Sequence, residues 1–200
     1  MSDANHTAAT PSADAIATAV RAAAPRGLPP VDKWNPPFCG DIDMRIARDG
    51  TWFYNGSPIG RKPLVKLFSS VLKREDGKFF LVTPVEKLGI MVDDAPFVAL
   101  DFEVTGNGRA QIITFETHVG DHAVAGEENT LRVSFDAVTG EPSPYIHIRR
   151  GLEALIDRKS FYRLVDMAEV ASVDGTDWLG VWSAGVFFPF MRAEELEAQT

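Results

Sequence analysis

Apolar and polar positions alternate over 42–47, where Ile42, Met44 and Ile46 stand against Asp43 and Arg45, the period of a half-buried strand. Arg48-Asp49-Gly50 supplies a turn, and Trp52, Phe53 and Tyr54 form a return strand rich in β-formers. The cluster Asn55-Gly56-Ser57-Pro58 turns the chain again. The period then changes. Leu64, Val65, Phe68, Val71 and Leu72 share one face of a helix expected over 61–73, with Pro63 in the first turn, where a missing N–H is harmless. Strands are expected over 79–83 and 88–92, then 97–104, 109–117, 131–135 and 145–149. A hairpin is signalled by 105–108, and 120–129 reads as a polar loop. A second helix is expected over 158–169, followed by strands through Trp182 and Phe188.

The two helices carry related sequences. Ile59, Arg61, Lys62, Leu67 and Phe68 of the first correspond to Ile156, Arg158, Lys159, Leu164 and Val165 of the second. Each follows a strand pair and precedes an Asp-Gly turn, Asp76-Gly77 or Asp174-Gly175, that leads into an apolar run. The pattern predicts an α+β fold with one β-hairpin–helix–strand motif used twice. The best boundary is Asp93-Asp94-Ala95-Pro96, which divides a domain over 31–95 from a barrel-like one over 96–192. The Ala-rich stretch 1–30 reads as a mobile tail. A short helix there would bury little and stop at Pro25, and 193–200 reads as an acidic tail.

Composition narrows the function classes. The chain has 200 residues, 45% of them hydrophobic, so a packed core is expected. A net charge of −8 counts against sequence-independent nucleic-acid binding, which needs a basic face. A single cysteine, Cys39, excludes an internal disulfide and a multi-cysteine zinc site, and fits a cytoplasmic setting. No apolar run is long enough to span a bilayer, and the first residues lack the pattern of a secretory signal.

Two clusters could carry chemistry. Arg61-Lys62 and Arg158-Lys159 open helices, where the dipole disfavours cations. Two such placements point to capture of an anion, set against pairing with nearby acids. Arg149 and Arg150 would add to the second pair if a hairpin turn brought them near Arg158, and Tyr145 and His147 lie on the same strand. These eight side chains are the candidate ligand site. His118 and His122 are four apart among acids, a metal-ligand spacing on a helix, but Val119-Gly120 argues for a loop. No Walker loop, dinucleotide fingerprint or G-x-S-x-G elbow is present, since Gly180-Val-Trp-Ser183 is mis-spaced. No catalytic residue, cofactor or metal is expected. The alternatives are a hydrolase or metal-dependent enzyme using His118 or His122, and an oligomer-forming structural protein joined through strands near Phe187.

Asp49-Gly-Thr-Trp-Phe-Tyr54, Ile59-Gly-Arg-Lys-Pro-Leu-Val-Lys-Leu-Phe68, Phe80-Leu-Val-Thr-Pro-Val-Glu-Lys87, the stretch from Pro144 to Arg158 with Phe161 and Tyr162, and Gly180-Val-Trp-Ser-Ala-Gly185 together resemble a bacterial family, the domain of unknown function 1285. The resemblance implies two domains with a duplicated motif, the C-terminal one superficially like pleckstrin-homology barrels. It also implies a binding site for a small anionic ligand or protein partner in a cleft between the domains, and a role in signalling or membrane stress. It brings no catalytic residues.

Overall fold

The computed structural model of the protein describes residues 12–23 and 27–197; the expected helix stop at Pro25 and the ends 1–11 and 198–200 lie outside the described residues. The fold is α+β, mostly sheet with few helices, in two compact units. One unit runs to Ile46 and resumes over Thr51–Met91, and the other holds Ala47–Gly50 and the chain from Val92 onward.

The first unit opens with helix α1 (Ala13–Ala23). Ser12 Oγ accepts the Ala15 N–H at 3.2 Å, satisfying one donor that a helix start leaves without a partner. Ile16, Ala17 and Val20 line one side and are fully buried, and α1 packs on the next helix. The segment 1–30, expected to bury little, therefore contains part of the core: small side chains allow close approach, so even methyl groups are shielded. Strands β1 (Phe38–Ile46), β2 (Trp52–Tyr54) and β3 (Ser57–Pro58) precede helix α2 (Lys62–Ser70). Strands β4 (Leu72–Glu75), β5 (Lys78–Val82) and β6 (Lys87–Val92) follow, giving a six-stranded sheet in the order β3-β2-β1-β6-β5-β4. Phe68 of α2 stacks on Trp52 at 6.2 Å, and both are shielded from solvent. The helix ends earlier than 73 because Val71 takes a non-helical cap, and Leu72, in helical register with Phe68, already belongs to a strand.

The second unit has a six-stranded sheet and a separate three-stranded one. The larger comprises β7 (Phe97–Thr105), β8 (Ile112–Thr117), β9 (His122–Val124), β10 (Leu131–Phe135), β11 (Pro142–Arg149) and β12 (Leu152–Ile156), in the order β10-β11-β12-β7-β8-β9. Strands β12 and β7 are parallel, while β7–β8, β8–β9, β10–β11 and β11–β12 pair antiparallel. The expected loop over 120–129 contains β9, a strand of only three residues, too short to show a period. Helix α3 (Arg158–Asp166) follows β12 directly and stops short of 169 at the non-helical cap Met167. Strands β13 (Glu169–Val173), β14 (Thr176–Ser183) and β15 (Val186–Arg192) form the small sheet, and α4 (Ala193–Glu197) closes the described chain.

Both Asp-Gly turns, 76–77 and 174–175, place each residue at positive φ, near 50° for Asp and 78° for Gly. That backbone twist suits a two-residue hairpin, and Asp-Gly tolerates it where most pairs do not. Helix α3 is pinned at three points. Ser160 Oγ donates to the Leu100 carbonyl at 3.2 Å, Arg163 Nη2 donates to the Phe102 carbonyl at 3.1 Å, and Phe161 packs against Phe190 of β15 at 5.8 Å. The start of α3 is thereby fixed against β7 and the small sheet.

Candidate functional site

Where β12 passes into α3 the second unit has an open groove of about 210 Å³. Leu155 and Ile156 end β12, Asp157 links it to α3, and Arg158, Phe161 and Tyr162 occupy the first helical turns. Opposite them lie Glu141, Pro142 and Pro144 at the start of β11, and Arg48 from the segment Ala47–Gly50. The local sequence explains the shape. Asp157 is extended at φ −64°, ψ 157°, and its Oδ1 accepts the Ser160 N–H at 2.9 Å, so a capping aspartate turns strand into helix. Ile156, Phe161 and Pro144 are buried and form an apolar floor.

Two arginines and two carboxylates border this floor, and one of the arginines, Arg48, is already paired with a third carboxylate, Asp94. Arg48 is tethered: Nη2 donates to Ser143 Oγ at 2.9 Å and Nη1 pairs with Asp94 at 3.3 Å. Asp94 in turn accepts the Tyr145 hydroxyl at 2.7 Å. Burial, followed by that carboxylate, raises the Tyr145 pKa, so the phenol keeps its proton and donates. Arg158 is exposed, and among the described residues the only protein hydrogen bond of its guanidinium is from Nε to the Tyr162 hydroxyl at 2.8 Å. That bond raises the Arg158 pKa and holds the guanidinium over the exposed Tyr162 ring at 5.5 Å.

The expected ligand residues are scattered. Arg61 and Lys62 open α2 in the first unit. Both are exposed, and Arg61 pairs with Asp14 at 3.1 Å. In the second unit, Lys159 is exposed beside Arg158 and helps to lower the Asp101 pKa, after the Arg163 guanidinium and the Phe102 N–H. Tyr145 is buried under the Arg132 guanidinium at 4.2 Å. Arg149 is also largely buried, ion-paired with Asp121 and lying over Phe97 at 4.8 Å. Arg150 forms the β11–β12 turn at φ 52°. The hairpin does not bring Arg149 and Arg150 to Arg158. With Tyr145 opposite Leu155 and Arg149 opposite Leu152, the pair sits at the tip while Arg158 lies beyond the far end of β12. Five residues of strand at about 3.3 Å each separate them.

His147 acts as a clip. Its Nδ1 donates to the Glu128 carbonyl at 3.0 Å, and Nε2 accepts the Gly151 N–H at 3.0 Å, joining a loop to the hairpin turn.

His118 and His122 do not share a helix face. His122 is exposed on β9, whereas the His118 Nδ1 accepts the Val98 N–H at 3.1 Å. Among the described residues, no group of three or more His, Cys, Asp and Glu side chains could hold a metal ion. Burial lowers the His118 pKa against the opposing pull of the Asp121 and Asp49 charges. The unfolded chain takes up this proton below the ordinary value of 6.5, whereas the folded chain resists it. Stability is therefore complete above pH 6.5 and falls below it, by at most ~1.4 kcal/mol per pH unit, until the folded-state value is reached. Urea unfolding against pH measures this. The component attributed to His118 should vanish in His118→Asn, whose side-chain oxygen can still accept the Val98 N–H, and an unchanged pH slope would refute the assignment.

Sequence reasoning missed Arg48, Glu141 and the two prolines, which reach the groove only through tertiary pairing. Asp157 had a legible signal, an aspartate three residues before Ser160 at a helix start.

The family described as domain of unknown function (DUF1285), N-terminal domain, matches residues 29–95, and protein of unknown function (DUF1285), C-terminal domain, matches residues 96–190. The chain belongs to the DUF1285 family. A DUF1285 family protein from Silicibacter pomeroyi DSS-3 is 62% identical, with 94% of this chain and 99% of that one covered at a TM-score of 0.85. A DUF1285 family protein from Shewanella baltica OS155 is 28% identical, with 62% of this chain and 90% of that one covered at a TM-score of 0.48. No curated protein matches. Among the described residues of this DUF1285 protein, no helix is long and apolar enough to cross a membrane.

Proposed function

We propose that this DUF1285 protein is a non-enzymatic binding module with a signalling or membrane-stress role, and that it takes a small ligand bearing an anionic group in the groove at the start of α3. The observation that carries the reading is Arg158. It lies on the rim of an apolar pocket with both Nη groups unengaged by protein among the described residues, so a planar anion could be held bidentately. Arg48, anchored by Ser143 and Asp94, would add a second, preorganised cation. The likeness of 59–68 to 156–165 is read as a duplicated unit whose second copy has a pocket beside its basic pair.

The test is a thermal-shift screen with carboxylates, phosphates and nucleotides. A ligand at about a hundredfold excess over Kd adds about 2.7 kcal/mol to the unfolding free energy. Arg158→Ala is expected to abolish that shift. Arg61→Ala should retain it and leave baseline stability within about 1 kcal/mol, because its ion pair with Asp14 is exposed. A shift that survives in Arg158→Ala would exclude the groove.

A further inference from the structure

We infer that the groove selects a zwitterion, a free α-amino acid with a medium-sized apolar side chain, rather than a simple anion. The inference rests on the proposed binding role and specifies its ligand. Its basis is the pairing of opposite charges around one apolar floor: Arg48 and Arg158 on one side of the account, Glu141 and Asp157 on the other. A phosphate dianion placed at Arg158 would meet both carboxylates, which repel it and offset the attraction of the arginines. An α-amino acid avoids that conflict. Its carboxylate matches the guanidinium fork of Arg158, and its ammonium matches Glu141, whose charge is close enough to contribute to the raised Arg158 pKa. Asp157 has one oxygen committed to the Ser160 N–H and is the second acceptor on the rim.

Size points the same way. About 210 Å³ lies below the roughly 300–1,000 Å³ of pockets that hold drug-sized molecules, so the occupant is small. The buried floor of Ile156, Phe161 and Pro144 asks for an apolar side chain to displace its water. Leucine combines these three features in one small molecule. In a peptide the free amine and carboxylate lie at opposite ends, so the two rim charges could not be met by one residue.

The test is calorimetric titration of the full chain with L-leucine, with 4-methylpentanoate, which lacks the amine, with 3-methylbutylamine, which lacks the carboxylate, and with the dipeptide Leu-Gly. L-Leucine is expected to bind at least about tenfold more tightly than each of the other three, the scale of one lost charge-assisted hydrogen bond. Arg158→Gln should weaken leucine and 4-methylpentanoate alike. Glu141→Gln should weaken leucine about tenfold and leave 4-methylpentanoate unchanged. Both side chains are exposed, so neither variant threatens the fold. If 4-methylpentanoate binds as tightly as leucine, or Glu141→Gln has no effect, the zwitterion assignment fails while the anion-binding role stands. If Leu-Gly binds better than leucine, the free amino acid is the wrong source. If no probe binds, the amino-acid assignment fails while the anion-binding role still rests on the thermal-shift screen; if Arg158→Gln changes nothing, the groove is not the site and both readings fall.

Discussion

Replacing Gly180 with alanine is expected to destabilise the second unit by at least ~3 kcal/mol, the upper range for overpacking a rigid interior. A β-carbon there would stand 2.3 Å from the Phe188 carbonyl oxygen, 2.8 Å from Phe187 Cζ and 2.9 Å from Pro189 Cα. Two of these are backbone atoms of the paired strand β15, which cannot move without breaking the β14–β15 register at Gly180 and Pro189. Gly89 is the control. Its added β-carbon would come even closer, 1.9 Å, but to the carboxylate end of Asp41, an exposed side chain that can swing aside. Urea unfolding of Gly180→Ala and Gly89→Ala should therefore rank the former as much the more damaged, and equal losses would contradict the packing described for the small sheet.

Ser183→Ala is expected to cost roughly 2–6 kcal/mol, at about 1–3 kcal/mol for each of the two buried groups left without a partner. Ser183 is fully buried; its Oγ donates to the Ala125 carbonyl at 2.7 Å and accepts the Ile113 N–H at 2.9 Å. Both partners belong to the neighbouring large sheet and its following loop, so this hydroxyl fastens the two sheets of the unit together. Nearby, Gln111 Nε2 donates to the Trp182 carbonyl at 2.7 Å and reinforces the same seam. The serine of the mis-spaced Gly180-Val-Trp-Ser183 stretch is thus a structural pin with both bonding directions occupied. Denaturant unfolding of the alanine variant measures the loss, and Ser183→Cys, a weaker donor of similar shape, should fall between the two. A variant as stable as the native chain would show that the hydroxyl contributes nothing across the seam.

How much of this was legible follows from the range of each interaction. The helical spacing of Leu64 with Phe68 is local, and α2, with α3 through the likeness of 156–165 to 59–68, begins within a residue of where it was expected. The Asp76-Gly77 and Asp174-Gly175 turns depend on two residues each and were equally readable. The burial of Ile16, Ala17 and Val20 was not, because it depends on α2 lying alongside, which no local period records. The parallel pairing of β12 with β7 joins 154–156 to 97–99, more than fifty residues apart, and has no local signature. The groove inherits that difficulty. Arg158 and Asp157 could be singled out from their helix start, but Arg48 was read only as part of a turn, and no local pattern singled out Glu141 or Pro142. Arg149 and Arg150 mislead for the opposite reason: their nearness to Arg158 in sequence runs along a strand, which carries them away from it.

The most direct measurement is a crystal structure of the full chain grown with L-leucine. Density for the amino acid in the groove, with its carboxylate within hydrogen-bonding distance of Arg158 and its side chain on Phe161 and Ile156, is the predicted result. An ordered ligand elsewhere with the groove empty, at a concentration where calorimetry shows binding, would contradict it.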